Sequence, residues 1–196
     1  MVAKEQVKRT EDFLALHHDP KLLVLPNIWD PLGARLLEAL DYPAVATASA
    51  AVAFSSGYND GQKINFTTML EVIQRIAHSV QVPLTADIEG GFAMTPDDVA
   101  ENIREVIRAG AVGINFEDGT FEGDEPLHPL DFQCERIQAV RKAADNEGLP
   151  LVINAMSGRF HQAGTGIRGR ENSRDDQASQ GLSRGRCGLY LSDHDG

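Results

Sequence analysis

The chain has little of what would place it in several common classes. Its two cysteines, Cys134 and Cys187, stand far apart and outside any CxxC or metal-ligand spacing. A disulfide scaffold or a zinc module is excluded on that count, and both are expected to be reduced thiols of a cytosolic protein. Cys134 falls in an expected helix with no histidine partner nearby in sequence, so no thiol nucleophile is expected there. No apolar run reaches the length of a membrane span, and the polar, mixed-charge start holds no signal-peptide core. Cytoplasm is the default location. Basic residues are also scarce, with 18 Lys and Arg against 29 Asp and Glu and a net charge of −11. Such a surface has no stripe for nucleic acid. It equally repels anionic substrates, so an acidic site serving one needs a bound cation to invert the local sign. The histidines, His17, His18, His78, His128, His161 and His194, show no ligand spacing and read as surface residues.

What remains has the composition of one soluble globular domain, 42% hydrophobic and 24% charged over 196 residues. Strands and helices alternate along it. Residues 5–18 form an expected helix stopped by Pro20, and Leu22-Leu23-Val24-Leu25 reads as a strand buried on both faces. Residues 27–40 follow with Leu32, Leu36, Leu37 and Leu40 at helical spacing, Asp30 as N-cap and Pro31 in the first turn. A strand over 44–47 runs into small residues and a polar loop, 55–61. A helix over 67–80 precedes a strand over 83–89. Thr95, Pro96, Asp97 and Asp98 open a further helix ending at Gly110. A strand over 112–116, a helix over 130–147 and a strand over 150–154 complete five βα repeats, the rhythm of a parallel sheet.

Polar residues gather where these strands end, at Ser49, Asp87, Glu89, Glu117, Asp118 and Asn154. That is the active face of a (β/α)8 barrel. A doubly wound sheet would carry a glycine-rich phosphate turn after its first strand. Pro26-Asn27-Ile28-Trp29-Asp30 stands there instead, which favours the barrel. The expected fold is α/β of TIM-barrel type, truncated after about five βα units, with a catalytic part over 1–155 and an irregular tail over 156–196.

The centre of this arrangement is Pro83-Leu84-Thr85-Ala86-Asp87-Ile88-Glu89-Gly90-Gly91-Phe92. Residues two apart in a strand face one side, so Asp87 and Glu89 are expected to project together. Adjacent carboxylates repel unless a proton or cation lies between them. The following glycines turn the chain and leave room beside the oxygens. A hard dication, Mg²⁺ or alternatively Mn²⁺, suits such an oxygen-only pocket.

The text changes character after Met156. Residues 157–196 hold 8 of the 18 glycines, with sparse and aperiodic apolar residues, a composition that predicts disorder. Reading the codons from Ile167 one base later permits Ser-Glu-Ala-Glu-Lys-Thr-Arg-Glu-Thr-Ile-Lys-Gln-Ala-Lys-Ala-Tyr-His-Glu-Ala-Gly-Ala-Asp-Cys-Ile-Tyr-Pro. That is an amphipathic helix, a glycine stop and a new strand, the sixth repeat of the same series. The tail is therefore expected to be out of frame. Sequencing the coding DNA around Gly166 checks this: the alternative frame should be open across the segment, and an intact frame with no such alternative contradicts it.

Five motifs together resemble the isocitrate lyase / phosphoenolpyruvate mutase superfamily, in its carboxyphosphonoenolpyruvate phosphonomutase-like branch, over about residues 5–155. They are Pro26-Asn27-Ile28-Trp29-Asp30, Thr47-Ala48-Ser49-Ala50-Ala51-Val52-Ala53, Gly57-Tyr58-Asn59-Asp60-Gly61, Ala86-Asp87-Ile88-Glu89-Gly90-Gly91-Phe92 and Asn115-Phe116-Glu117-Asp118-Gly119. The resemblance implies Asp87 as the main Mg²⁺ ligand, with Glu89 and Glu117 completing the carboxylate set largely through water. It implies Asp60 as the acidic residue of a mobile loop over the substrate, with Asp60 and Glu117 as catalytic candidates. Ser49 and Ala50 fall where backbone N–H groups hold the substrate's carboxylate or enolate oxygen, and Trp29 and Asn154 are further substrate-side candidates. The implied chemistry forms or traps a pyruvate enolate while a C–C or P–C bond changes.

Three departures from that pattern bear on activity. The loop after Glu117-Asp118 reads Gly119-Thr120-Phe121-Glu122-Gly123-Asp124-Glu125-Pro126 and lacks the lyase branch's cysteine. It lacks the mutase's lysine as well. The Asn-Ala-Arg-Thr-Asp expected after the fifth strand appears as Asn154-Ala155-Met156-Ser157-Gly158, and Met cannot replace a bidentate arginine clamp. The expected function is thus a Mg²⁺-dependent lyase or phosphonomutase-like enzyme acting on a small 2-oxo or 2-hydroxy carboxylate. The alternatives are an inactive truncated homologue, or a small-molecule binding or assembly protein on the same scaffold. Uncovered strand edges and helix faces predict self-association, so a homo-oligomer is expected.

Overall fold

The computed structural model describes residues 2–121 and 127–156. The tail, its frame and most of the loop after Gly119 lie outside the described residues. Five parallel strands run β1 (Asn27–Ile28), β2 (Val45–Thr47), β3 (Leu84–Asp87), β4 (Gly113–Glu117) and β5 (Val152–Met156), each paired to the next in chain order. Consecutive order without reversal is the signature of a barrel arc; a doubly wound sheet switches direction at its middle.

Helices α1 (Lys4–His18), α2 (Pro31–Ala39), α3 (Ser49–Ser55), α4 (Phe66–Ala77), α5 (Pro96–Arg108) and α6 (Leu130–Glu147) fill the connections. Their ends follow local chemistry. Asp30 caps α2 by accepting from the Gly33 N–H at 2.7 Å, with Pro31 at the first helical position. Asn65 caps α4 and Thr95 caps α5 in the same way. Gly148 ends α6 at φ 76°, a left-handed stop that suits glycine. The main core lies between the sheet and α4, α5 and α6, with Ile73, Ile76, Ile103, Ile107, Ile114 and Ile137 fully enclosed.

Helix α1 closes the opposite end of the sheet from the polar residues. Phe13 packs with Ala44, Val112 and Val152, which all sit where strands begin. Gln6, buried on the same helix, donates from Nε2 to the carbonyls of Ile107 at 2.7 Å and Ala111 at 3.0 Å. The strands' C-terminal ends are left as the open face.

Several expectations are corrected. Leu22-Leu23-Val24-Leu25 is not a strand: Leu22 is 83% and Val24 55% exposed, while Leu23 and Leu25 lean on the Phe13 cluster. Pairing to β2 begins only at Asn27, so the apolar run passes the sheet edge with one side in solvent. Along α2, Leu37 packs on the core but Leu32, Leu36 and Leu40 face outward. The small-residue stretch after β2 is the helix α3. His128, expected at the surface, is buried and meets Phe132 edge-on. Cys134 is buried on α6, and Cys187 lies outside the described residues.

Candidate functional site

Register places the polar residues in rows. Asp87, Asn115 and Asn154 are successive partners across β3, β4 and β5 and share one face of the sheet. One level further out, Glu117 pairs with Met156, and the Glu117 N–H donates to the Glu89 carbonyl at 2.8 Å. These are the strand ends at which the sequence places its acids.

Asp87 is held from two sides. Its Oδ2 accepts from the Ser49 N–H at 3.1 Å and the Ser49 Oγ–H at 2.8 Å, and its Oδ1 accepts from the Glu89 N–H at 3.2 Å. Its own N–H donates to Thr47 Oγ1 at 2.7 Å. The three bonds to its oxygens fix the carboxylate's orientation and leave lone pairs on both. The Ser49 amide, expected to meet a substrate oxygen, therefore addresses Asp87 in this state. Ala50 follows in the first turn of α3.

Glu89 departs from the strand argument. β3 ends at Asp87, and Glu89 adopts φ 51°, in the left-handed region. Its proximity to Asp87 comes from this turn rather than from strand alternation. The residue is 2% exposed. Its Oε2 accepts from the Gln62 N–H at 2.7 Å, while Oε1 has no hydrogen-bond partner among the described residues. Burial pushes its pKa up to about 7; the Gln62 bond opposes this, and the charges of Asp60, Asp87 and Glu117 add to it. Four carboxylates therefore share one electrostatic neighbourhood, centred on a buried oxygen that lacks a donor.

Asp60 sits exposed in a tight turn, its Oδ1 accepting from the Gly61 N–H at 2.9 Å. Its loop is tied down through Gln62, whose N–H meets Glu89 and whose Oε1 accepts from the Phe92 N–H at 2.6 Å. Asn154 donates from Nδ2 to Asn115 Oδ1 at 2.9 Å beside Asp87 in register. Trp29 follows β1 and is 48% exposed. The structure thus groups Asp60, Asp87, Glu89 and Glu117, sets Ser49 and Asn154 next to them, and leaves Trp29 open to solvent beyond β1.

Sequence reasoning missed Thr47, Gln62, Asn115 and Arg136. Arg136 is fully buried on α6, donating to the carbonyls of Gly90 and, at 2.9 Å, Ala93. Its spacing from Gln133, Ile137 and Val140 puts it on the buried stripe of α6, a signal that was available in the pattern.

The donor set fits a hydrated hard dication. Among the described residues, no three His, Cys, Asp or Glu side chains close into a direct cage. Mg²⁺ takes one or two carboxylates and keeps several waters. The unpartnered buried oxygen of Glu89 and its raised pKa mark where positive charge is missing.

Comparison with known proteins agrees with this frame. The model of the family described as phosphoenolpyruvate phosphomutase matches residues 13–188, a range that passes the composition break after Met156. A crystal structure from Burkholderia cenocepacia J2315, provisionally described as a phosphonomutase, superposes with TM-score 0.82 at 34% identity, covering 92% of this chain and 72% of that one. Phosphonopyruvate hydrolase, solved with oxalate and Mg²⁺, gives TM-score 0.78 at 25% identity, covering 92% of this chain and 60% of its own. A 2-methylisocitrate lyase of Aeropyrum pernix is 28% identical over 131 residues, 63% of this chain and 42% of that protein. The chain spans about four-tenths of the curated relatives it matches. No helix among the described residues is long and apolar enough to cross a membrane. By the family match and the shared parallel α/β architecture, the chain belongs to the phosphoenolpyruvate phosphomutase family.

Proposed function

We propose that this chain is a Mg²⁺-dependent lyase or phosphonomutase-like enzyme, cytoplasmic and homo-oligomeric, acting on a small 2-oxo or 2-hydroxy carboxylate through a pyruvate-enolate-like intermediate. The observation that carries this is the buried Glu89 oxygen, without a donor among the described residues, in the negative field of Asp60, Asp87 and Glu117. Asp87 would hold the ion directly, with Glu89 and Glu117 orienting its waters. When bound, Mg²⁺ supplies Lewis-acid polarisation of the substrate and an opposite charge for its carboxylate.

The chain's own residues do the rest. Ser49 and the Glu89 N–H fix the Asp87 carboxylate against rotation, and Thr47 holds its backbone. The Ala50 N–H, in the first turn of α3, would meet an oxyanion as charge develops, and the Ser49 N–H would join it on release from Asp87. The Asp60 loop is tied to the site through Gln62 and would cover the bound substrate. Asn115 and Asn154, bonded to each other beside Asp87 in register, would offer their remaining amide groups to the substrate. Exposed Leu22, Leu32, Leu36 and Leu40 support self-association.

A second reading, binding without turnover, is favoured by the 119–126 loop, which offers no Cys, Lys or Arg for bond cleavage. Calorimetric titration with oxalate, an enolate mimic, tests the site with and without Mg²⁺. Oxalate should bind only with Mg²⁺, and Asp87→Ala should weaken that binding by about a hundredfold. Metal-independent or absent oxalate binding contradicts the proposal. Pyruvate release from candidate acids then separates turnover from binding alone.

A further inference from the structure

Arg136 is a buried cation with no carboxylate in ion-pair contact among the described residues. Its Nε has no partner among them, and burial alone lowers its pKa to about 10. An unpaired buried charge is costly, so its contacts need a physical reason. Those contacts converge on one segment. The Nη2 atom donates to the carbonyls of Gly90 and Ala93, and the guanidinium lies 4.9 Å from the Phe116 ring centroid. Its Nη1 donates to Gln133 Oε1 at 2.8 Å, and Gln133 Nε2 donates to the Glu117 carbonyl at 3.2 Å. One side chain therefore ties the ends of β3 and β4 together.

Asn102 completes the clamp from α5. Its Nδ2 donates to the carbonyls of Gly91 at 2.9 Å and Phe92 at 3.3 Å, so the four successive carbonyls from Gly90 to Ala93 are all held by Arg136 or Asn102. The segment needs holding. Glu89 at φ 51° and Phe92 at φ 57° are non-glycine residues in the left-handed region, strained conformations that persist only when their surroundings over-determine them.

We propose that Arg136, with Asn102, is a positioning residue for metal ligation, holding the 89–93 turn so that the Glu89 carboxylate stays among Asp60, Asp87 and Glu117. This rests on the Mg²⁺ site of the proposed function. The planar guanidinium explains the choice of arginine, because it sends Nη2 to the two carbonyls and Nη1 to Gln133 at the same time in one fixed plane.

The test is Mg²⁺ titration by calorimetry, with melting followed by circular dichroism, on the full chain and on Arg136→Met, Arg136→Lys and Asn102→Ala. Arg136→Met leaves the Gly90 and Ala93 carbonyls without that donor, so melting should fall, and in the folded variant Mg²⁺ affinity should fall about 10- to 100-fold. Arg136→Lys should recover part of that loss, and Asn102→Ala should lose about tenfold. A purely structural role would lower melting and leave affinity unchanged. Folded Arg136→Met binding Mg²⁺ like the parent overturns the proposal, and if that variant does not fold, parental affinity in Asn102→Ala overturns it. A parent chain that binds no Mg²⁺ removes the metal reading itself, before any variant is compared.

Discussion

Replacing Glu89 with Gln should stabilise the metal-free protein by about 2–3 kcal/mol at pH 8 and leave it nearly unchanged at pH 4.5. The sign follows from the direction of the shift. Burial raises the folded-state pKa of Glu89 to about 7 from an ordinary 4.5. Between those values the folded state keeps a proton that the unfolded chain has lost. Stability therefore falls as pH rises across that window, and the whole penalty is present above it. The amide introduced by Glu89→Gln would keep an acceptor for the Gln62 N–H without the buried charge. Added Mg²⁺ should give the parent a similar gain at pH 8 and the variant little, because the cation compensates the same charge. Urea unfolding from pH 4.5 to 8, in chelator and in Mg²⁺, checks all three statements. A flat profile for the parent in chelator contradicts the placement of Glu89.

Gly113→Ala should destabilise the fold by about 1–3 kcal/mol, although alanine is the smallest change available. A Cβ on Gly113 would lie 2.7 Å from Phe13 Cε1, 3.0 Å from Thr85 Oγ1 and 3.2 Å from the Val152 carbonyl. Two of those neighbours belong to adjacent strands, and the third is the side chain by which α1 closes the sheet's lower end. Phe13→Leu opens part of that space, so the two substitutions should be less than additive, with a coupling of about 0.5–2 kcal/mol. A double-mutant cycle in denaturant measures it. Strict additivity would mean that Phe13 does not press on β4.

What the sequence made legible was what local chemistry decides. Asp30-Pro31 and Thr95-Pro96 carry their helix starts in their own side chains, and both helices begin where those residues direct. The alternation of apolar strands and periodic helices was enough for a barrel arc, because consecutive parallel pairing is the simplest way to bury it. The failures lie where partners decide. Leu22 to Leu25 have strand composition, yet no neighbouring strand runs beside them. The same limit appears on α2, whose leucine stripe is legible but whose outward face depends on what packs against it.

The site was legible as a set of acids and only partly as a geometry. Asp87, Glu89 and Glu117 are grouped as their motifs imply, but Glu89 arrives through a left-handed turn that a glutamate does not announce. Arg136 looks like a surface cation on a long helix. The helical stripe places it inward, but its two carbonyl partners lie on a segment over forty residues away, which no local pattern encodes.

Everything proposed for the site requires these carboxylates to meet around one divalent ion. A crystal structure grown with Mg²⁺ and oxalate tests that requirement most directly. The expected result is one ion about 2.0–2.1 Å from an Asp87 oxygen, with waters bridging it to Glu89 and Glu117 and oxalate completing the shell. An ordered site whose carboxylates diverge, with no ion among them at saturating Mg²⁺, would contradict it.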